Sequence, residues 1–344
     1  MAKVVTIKDV AKAAGVSSMT VSRVLNDRPD VSPKTRKRVQ EVIEKLGYAP
    51  SEIARSLSHG RSSTIGVVSS GLELYGPSRI LVGIEKQANE LGFSLMVRLL
   101  HNPLESRGER ALNELIANQV AGIIWAVAEI GDQREWLYQH RDKGATPVVF
   151  LSINPRPDTT LVAVDNRLGG RLATSHLLEQ GYQKIGIITG PQEWWEARER
   201  ELGWQDILQQ AGRDNLAHLK EHGDWTAASG YKTMMKLLDR VPDLEAVFVS
   251  NDSMALGALR AVVSCGRSVP HDLAVVGFDD IPESAYFSPP LTTVRQGLLK
   301  VGSEAVCLLN QHLQARRKEE PFAAQVTIME PQLIVRQSSL LEPT

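Results

Sequence analysis

The sequence predicts an α/β protein in which a small helical head precedes a larger body of alternating strands and helices. Apolar residues recur at helical spacing in residues 1–50, and short apolar runs alternate with helical stretches in the rest of the chain. Charge divides the chain near the same place: residues 1–61 contain 12 Lys and Arg against 6 Asp and Glu, whereas the remainder contains 27 against 34. A basic head on a mildly acidic body is typical of a nucleic-acid-binding module joined to a second domain.

Length and composition fit a globular protein of two or three domains. The chain has 344 residues, of which 42% are apolar and 23% are charged. Its two cysteines, Cys265 and Cys307, lack metal-ligand spacing and fit a reducing compartment. The N-terminus lacks the apolar core of a signal peptide, and no apolar run reaches the roughly 18 residues of a membrane helix. We therefore expect a cytoplasmic protein with no membrane segment, no metal site and no cofactor.

The head begins with two predicted short helices joined by a tight turn. Their apolar stripes are Ile7, Val10, Ala11 and Ala14, and Val21, Val24 and Leu25. Thr6 and Ser17 are predicted to cap the helix starts, and Gly15 ends the first helix. This is the helix-turn-helix pattern, whose second helix reads the major groove of DNA. The alternative is an ordinary pair of surface helices in a larger helical domain.

A third helix is predicted at residues 33–46, after an N-cap at Ser32 and before Gly47. Its outer face carries Lys34, Arg36, Lys37, Arg38 and Lys45. These cations are either a solvated face or, beside a helix-turn-helix, contacts to phosphate. Residues 51–60 could form a helix of two turns, which is marginal in isolation. From the residues alone, this segment is either a linker or a helix that orders only when bound.

From Thr64 onward, short apolar runs predict buried strands. These runs are residues 64–68, 94–97, 121–125, 147–151, 161–164, 184–188, 246–249 and 273–278. Their alternation with helical stretches predicts parallel sheets covered on both faces. So many units exceed one sheet, and we expect two α/β subdomains that face each other across a cleft. Ligands of such sheets bind beyond the carboxyl ends of the strands.

Polar and aromatic residues cluster at the ends of these predicted strands, in the pattern of a sugar site. They are Trp194, Trp195, Arg198, Arg200, Trp204, Trp225, the pair Asn251–Asp252 and the pair Asp279–Asp280. Aromatic faces can stack on a sugar ring while Arg, Asn and Asp pair with its hydroxyls. Taken singly, each residue is more often a helix cap or part of a core. No phosphate loop, nucleophile elbow or defensible acid/base pair is present, so we assign no catalytic residue and expect no enzyme.

Several segments closely resemble the lactose/galactose repressor (LacI/GalR) family over nearly the whole chain. They include TIKDVA at 6–11, TVSRVLN at 20–26 and LGYAP at 46–50 in the head, and NDSMALG at 251–257 and GFDD at 277–280 in the body. The resemblance implies a three-helix DNA-binding domain at 1–50, a hinge helix at 51–60 and an effector-binding and dimerisation domain at 61–344. That domain is expected to contain two Rossmann-like subdomains of the periplasmic-binding-protein type. We expect the N-subdomain at 62–163 plus 295–323 and the C-subdomain at 164–292 plus 324–340.

The resemblance also implies how the head binds DNA. The base-reading positions of the family fall on Ser18, Met19 and Arg23, and the fork of Arg23 suits the O6/N7 edge of guanine. A family leucine that wedges into the minor groove falls on Leu57. The full predicted DNA-binding set is Thr6, Ser17, Ser18, Met19, Thr20, Ser22, Arg23, Asn26, Ala54, Arg55 and Leu57. The partner is expected to be a pseudo-palindromic double-stranded operator that is bound by a homodimer.

For the body, the resemblance implies a sugar effector in the cleft. Sugar-hydroxyl ligands fall on Arg200, Asn251 and Asp279, and a ring-stacking tryptophan falls on Trp225. The predicted effector set is completed by Ser70, Tyr75, Trp125, Ser152 and Gln296. The segments HGDW at 222–225 and YGPS at 75–78 look like the galactoside-responsive branch. Ser152 and Trp125 depart from the acidic residue and the asparagine of lactose-type members, and both changes would reshape the pocket.

The predicted function is therefore a transcriptional repressor whose operator affinity is controlled by a galactoside or related saccharide. The sign of control stays open, because a ligand could instead strengthen DNA binding. A sugar-binding transport protein would share the two-subdomain body but would need export, and a sugar-processing enzyme would need catalytic groups. No leucine heptad tail is present, so we expect a dimer and not a tetramer.

Overall fold

The computed structural model describes residues 5–25, 27–48, 62–101, 108–129, 146–156, 158–213 and 215–340. The chain divides into two compact units, residues 1–63 and 64–344, which are described in turn. The predicted hinge at 51–60 lies outside the described residues. In the part of the chain that the structure describes, every helix is too short or too polar to span a lipid bilayer.

The first unit contains three helices around a small apolar core, as the stripes predict. They are α1 (Ile7–Ala14), α2 (Ser18–Leu25) and α3 (Pro33–Leu46). The core consists of Val10, Ala11, Ala14, Val21, Val24 and Val39. Ser17 Oγ accepts from the Thr20 N–H at 3.1 Å, which confirms the predicted cap at the start of α2. Gly15 and Gly47 end α1 and α3 in the left-handed region, where glycine has no steric cost.

The second unit contains two parallel sheets, as predicted. The strands are β1 (Thr64–Ser70), β2 (Ser94–Leu100), β3 (Gly122–Ala126), β4 (Val148–Leu151), β5 (Leu161–Val164), β6 (Ile185–Thr189), β7 (Lys220–His222), β8 (Ala246–Val249), β9 (Ala274–Val276), β10 (Thr293–Arg295), β11 (Val326–Met329) and β12 (Gln332–Ile334). The first sheet has the order β11-β5-β4-β3-β1-β2, and the second has the order β7-β6-β8-β9. Strands β10 and β12 form a separate antiparallel pair. We call the first sheet with its helices the N-subdomain and the second the C-subdomain.

Seven helices of the described residues cover these two sheets. They are α4 (Tyr75–Glu90), α5 (Gly108–Ala117), α6 (Asn166–Glu179), α7 (Trp195–Gln210), α8 (Ala227–Arg240), α9 (Asp252–Ser264) and α10 (Leu298–Arg317), with short 3-10 turns at Ala217–Leu219 and Pro282–Tyr286. On one face of the first sheet, α4 and α10 enclose a core, and on the other face α5 encloses a second one. Helices α6 to α9 share the core of the second sheet. Both sheets are therefore covered on two faces, which explains their continuous apolar strands.

The predicted boundary between the subdomains is wrong for one strand. We expected residues 324–340 in the C-subdomain, but Val326–Met329 pairs in parallel with Leu161–Val164 and extends the first sheet. As an edge strand it alternates exposed and half-buried residues, so it lacks the continuous apolar run of a central strand. The polar edge strand Lys220–His222 was not predicted as a strand either, and it closes one side of the second sheet.

A close contact between α6 and α7 positions α7, the helix that carries Arg200. A Cβ atom on Gly170 would lie 2.3 Å from the Arg200 carbonyl oxygen, so only glycine fits at this crossing. The neighbouring Gly169 lies against the ring of Phe278, which a Cβ would approach to 2.6 Å. This glycine pair therefore allows close packing of α6, and the crossing places Arg200 at the carboxyl end of the second sheet.

Candidate functional site

Helix α2 carries the side chains predicted to read base edges. Met19 is 66% exposed, and Arg23 is exposed beside Asp30, with 3.2 Å between Nη1 and Oδ2. An exposed pair of this kind contributes little to stability, so Arg23 can leave Asp30 for another acceptor at small cost. Of the other predicted contacts, Thr6 and Ser17 are exposed, Ser18, Thr20 and Ser22 are partly buried, and Asn26, Ala54, Arg55 and Leu57 lie outside the described residues.

The basic face of α3 is only partly available to DNA. Lys34, Lys37, Arg38 and Lys45 are exposed, as expected for phosphate contacts or a solvated face. Arg36 differs, because its guanidinium donates to the Asp27 carboxylate and to the Arg28 carbonyl oxygen, each at 2.5 Å. Arg36 therefore secures the turn between α2 and α3 instead of projecting freely from the surface.

The candidate effector site is a cavity between the two subdomains, at the carboxyl ends of both sets of strands. It holds about 760 Å³ of empty space, the part open to solvent included. Seven of the predicted effector residues line it: Tyr75, Ser152, Arg200, Trp225, Asn251, Asp279 and Gln296. The cleft and its position at the strand ends therefore match the expectation from the sheet pattern.

Arg200 is the buried cation of the cavity. Its Nε donates to Asn166 Oδ1 at 2.8 Å, and its Nη1 donates to the Ser250 carbonyl oxygen at 2.6 Å. Its Nη2 lies 3.5 Å from Gln296 Oε1, and the guanidinium carbon lies 3.8 Å from the centre of the Phe278 ring. The guanidinium is therefore held in one orientation by neighbours from several elements, which suits directional hydrogen bonding to a ligand.

Asp279 is a half-buried anion of the same cavity. It follows β9 with φ at 119°, a strained value for a residue other than glycine. Its Oδ1 accepts from Gln296 Nε2 at 2.5 Å. Burial raises the pKa of Asp279 from 3.8 to about 6, against the opposing effects of Arg200 and of the Gln296 hydrogen bond. A carboxylate held in this way can accept hydrogen bonds from ligand hydroxyls, and it does so best when ionised.

Asn251 and Trp225 are held together beside Arg200. Asn251 caps α9, because its Oδ1 accepts from the Met254 N–H at 2.8 Å, and its Nδ2 donates to the Trp225 carbonyl oxygen at 3.0 Å. Trp225 has φ at 75° and packs tightly against Gly190, where a Cβ would approach the indole to 2.2 Å. Its buried Nε1 has no hydrogen-bond partner among the described residues. Asn251 thus combines the cap expected of a residue at a strand end with a place in the cavity lining.

Two predicted effector residues do not line the cavity. Trp125 lies in the core between the first sheet and α5, whereas its neighbour Ala126 reaches the cavity. Successive side chains of a strand point to opposite faces, so these two neighbours on β3 serve different surfaces. Ser70 is buried at the end of β1 and is likewise absent from the lining. Both assignments followed the resemblance, and in the structure neither side chain lines the cavity.

The predicted effector set omitted other residues of the cavity, although Trp194 was part of the predicted cluster at the strand ends. Asn166 orients Arg200, while Trp194 and Glu196 line the wall contributed by the start of α7. Trp194 meets Trp225 edge to face, with ring centroids 5.8 Å apart. The position of Trp194 and Glu196 just after β6 was the available indication, because this is where a ligand of a parallel sheet binds.

Asp252 and Asp280 support the site from behind. Asp252 is fully buried and accepts from Thr293 Oγ1 at 2.6 Å and from the Ile281 N–H at 2.9 Å. Burial, together with the charge of Asp279, raises the pKa of Asp252. Asp280 pairs instead with Arg295 and Arg336. These contacts fix the strained loop that carries Asp279, so the two carboxylates have structural roles.

Comparison with known proteins identifies both units. Residues 6–51 match the model of bacterial regulatory proteins of the lacI family, and residues 174–339 match a periplasmic binding protein-like domain. The lactose operon repressor of Escherichia coli (strain K12) is 35% identical over 315 residues, which are 91% of this chain and 86% of the relative. The HTH-type transcriptional repressor PurR of Aliivibrio salmonicida is 34% identical over 336 residues, 97% of this chain and 98% of the relative.

Two solved structures extend the similarity to the whole fold. A crystal structure of the lac repressor dimer bound to operator and the anti-inducer ONPF has a TM-score of 0.87 at 33% identity, covering 98% of this chain and 100% of that chain. A complex of the transcriptional regulator CelR with cellobiose has a TM-score of 0.72 at 34% identity, covering 97% of this chain and 99% of that chain. The resemblance seen in the sequence motifs is confirmed. This chain belongs to the lacI family of bacterial regulatory proteins and is a DNA-binding transcriptional repressor with a sugar-binding effector domain.

Proposed function

We propose that this repressor acts as a homodimer on a pseudo-palindromic operator and that an uncharged saccharide in the cleft controls its affinity. The observation that carries the effector assignment is the hydrogen-bonded array of Arg200, Gln296 and Asp279 beside the indole of Trp225. Sugar hydroxyls both donate and accept, and the array offers donors and an acceptor within one small space. The indole supplies a flat apolar surface for the C–H face of a sugar ring.

The charge of the lining supports a neutral ligand. Arg200 faces two carboxylates in the cavity, Glu196 and Asp279, and its own donors already reach Asn166 and the Ser250 carbonyl. A phosphate or uronate would therefore add a further negative charge beside these two carboxylates, which is costly in a buried site. A galactoside fits this environment, and so does a β-linked glucoside such as the cellobiose bound by CelR.

The proposed DNA contacts rest on α2. Met19 and Arg23 are exposed on this helix, and the similar lac repressor dimer is bound to operator through the same fold. Under this proposal Arg23 exchanges its exposed partner Asp30 for a base edge, while the exposed lysines of α3 contact phosphate. The hinge contacts proposed for Ala54, Arg55 and Leu57 follow from the resemblance alone.

The test is operator binding by fluorescence anisotropy at fixed salt, using DNA from upstream of the gene. Lactose, methyl β-D-galactoside, cellobiose, hypoxanthine and galacturonate would each be titrated against the complex. Release of DNA by one neutral sugar supports an inducible repressor and identifies the class of its inducer. Tighter DNA binding with a sugar means a co-repressed regulator, and a response to hypoxanthine or galacturonate alone overturns the saccharide proposal.

A further inference from the structure

Residues 194–196 belong by chain order to the C-subdomain, yet they reach across to the N-subdomain. They follow β6 and begin α7, whose other buried hydrophobic residues, Ala197, Trp204 and Leu208, pack in the core of the second sheet. Trp195 is only 8% exposed, but its side chain lies in the core between the first sheet and α5. Every other buried residue of that core comes from residues 68–163. Trp195 is thus the C-subdomain's contribution to a core of the N-subdomain.

A backbone hydrogen bond strengthens this crossing. The Trp195 N–H donates to the Glu129 carbonyl oxygen at 3.0 Å. This N–H is in the first turn of α7 and has no partner within its own helix, so the N-subdomain satisfies a donor that would otherwise need water. The acceptor is itself held, because the Glu129 carboxylate accepts from the Asn154 N–H at 2.7 Å and lies 3.4 Å from Arg156.

The residues on either side of Trp195 form a wall of the effector cavity. Trp194 and Glu196 line the cavity, while Trp195 turns away from it into the core. Trp194 meets the indole of Trp225 edge to face, and Arg200 follows Glu196 by one helical turn. Glu129, which accepts from Trp195, also donates its own N–H to the carbonyl oxygen of the cavity residue Ser152. The contacts of Trp195 therefore fix the placement of cavity residues from both subdomains.

We propose that Trp195 is a positioning residue that anchors the start of α7 to the N-subdomain and thereby links effector occupancy to the angle between the two subdomains. A rotation of the subdomains must either withdraw the indole from the core or carry the cavity wall with it. An effector held by Trp194 and Glu196 therefore favours one arrangement of the anchor over the other. Such a difference in affinity between two states is what a ligand needs in order to shift an equilibrium. This inference rests on the proposed effector function of the cavity.

The test separates the anchor from general stability. Trp195→Ala removes the indole, Trp195→Phe keeps an aromatic anchor, and Trp195→Leu keeps a smaller apolar one in case the alanine variant fails to fold. Trp204→Phe is the matched control, because Trp204 is a fully buried tryptophan of the same helix that packs within the C-subdomain core and donates to the Ile185 carbonyl at 3.3 Å. Folding of each variant is checked by circular dichroism and thermal unfolding.

The first readout needs no ligand. Spin labels are attached to Glu109→Cys in the N-subdomain and Asp239→Cys in the C-subdomain, both exposed, after Cys265 and Cys307 are replaced by serine. Labelled protein is diluted with unlabelled protein, and the distance distribution is measured by pulsed electron spin resonance. We expect a narrow distribution for the parent, Trp195→Phe and Trp204→Phe, and a broader or shifted one for Trp195→Ala and Trp195→Leu. Distributions that match the parent in the alanine and leucine variants overturn the proposal, as does equal broadening in Trp204→Phe.

The second readout measures coupling. Operator affinity is determined with and without saturating cellobiose and, separately, methyl β-D-galactoside. The ratio of the operator dissociation constant with sugar to that without sugar measures the coupling. We expect this ratio to be at least fivefold closer to one in Trp195→Ala than in the parent, and to return to the parent value in Trp195→Phe. An unchanged ratio in Trp195→Ala overturns the role in coupling. If neither sugar affects the parent protein, the proposed effector class fails, while the distance measurement still decides the anchor.

Discussion

The guanidinium of Arg200 lies 3.8 Å from the centre of the Phe278 ring, so the cavity's cation is stacked on a residue of the core. Phe278 is fully buried, and its ring also packs against Gly169 of α6, where it leaves no room for a side chain. This stacking, together with three hydrogen-bond acceptors, leaves Arg200 little freedom to follow a ligand. Protein contacts alone therefore hold Arg200 in place, which lowers the entropic cost of ordering it on binding.

Replacing Arg200 with lysine should weaken sugar binding by at least tenfold. Lysine keeps the charge but lacks the several N–H donors of the guanidinium and cannot stack on the Phe278 ring. Each charge-assisted hydrogen bond that is lost is worth about 1.5–3 kcal/mol. Arg198→Lys is the matched control, because Arg198 donates to the carbonyls of Gln192 and Glu193 outside the cavity. Calorimetric titration measures both, and similar affinities for the two variants would contradict the role of Arg200.

Sugar affinity should rise with pH through about pH 6. The pKa of Asp279 is about 6, and only the ionised carboxylate accepts from hydroxyls with both oxygens. One pH unit below that value, affinity should be about tenfold weaker than at neutral pH if only the ionised form binds. Asp279→Asn removes this titration. Dissociation constants from pH 5 to pH 8 check it, and the same pH slope in the asparagine variant would assign the effect elsewhere.

The same carboxyl group should affect folding stability with the opposite sign. Its pKa in the folded protein lies above the ordinary 3.8, so the folded state binds the proton more tightly than the unfolded state does. The stabilisation from protonation is complete below about pH 4 and is lost as pH rises through about 6. Asp252, whose pKa is also raised, adds in the same direction. Urea unfolding across this range should show a smaller loss of stability with rising pH for Asp279→Asn than for the parent.

Gly170→Ala should destabilise the effector domain by about 1–3 kcal/mol, the usual cost of overpacking. The added methyl group would lie 2.3 Å from the Arg200 carbonyl oxygen and must push α6 and α7 apart. Gly76→Ala is a suitable control for stability, since a Cβ there meets no atom within 4 Å. Denaturant unfolding without ligand compares them. Equal midpoints would mean that the helix crossing relaxes without cost.

Arg23→Ala should reduce specificity for operator by about 1–3 kcal/mol, whereas Lys37→Ala should weaken binding to all sequences and lower the salt dependence. The reason is that a base contact discriminates between sequences and a phosphate contact does not. Asp30→Ala serves as a control, because it removes the exposed partner of Arg23 and leaves the arginine itself. Anisotropy with operator and random DNA measures these effects. An equal loss on both DNAs in Arg23→Ala would remove Arg23 from base reading.

The local patterns of the sequence were sufficient for the helices of the head and the central strands of both sheets. Caps such as Ser17 and apolar stripes act between residues close in the chain, so they can be read without the fold. Two edge strands, β7 and β11, were missed, because they are only half covered and their sequences lack continuous apolar runs. The pairing of β11 with β5 brings together residues about 165 positions apart, which no local pattern specifies.

By itself, then, the sequence determined the two-part α/β architecture, the helix-turn-helix and the set of polar residues at strand ends that includes Arg200, Asn251 and Asp279. Only the tertiary structure decided whether each side chain faces the effector cavity or the apolar core behind it. Trp125 and Trp195 both appeared near the predicted site, and both lie in the core behind it. Strand pleating turns Trp125 away, and contact between subdomains takes Trp195 across the cleft. These outcomes depend on packing between distant segments, and the order of residues does not reveal such packing in advance.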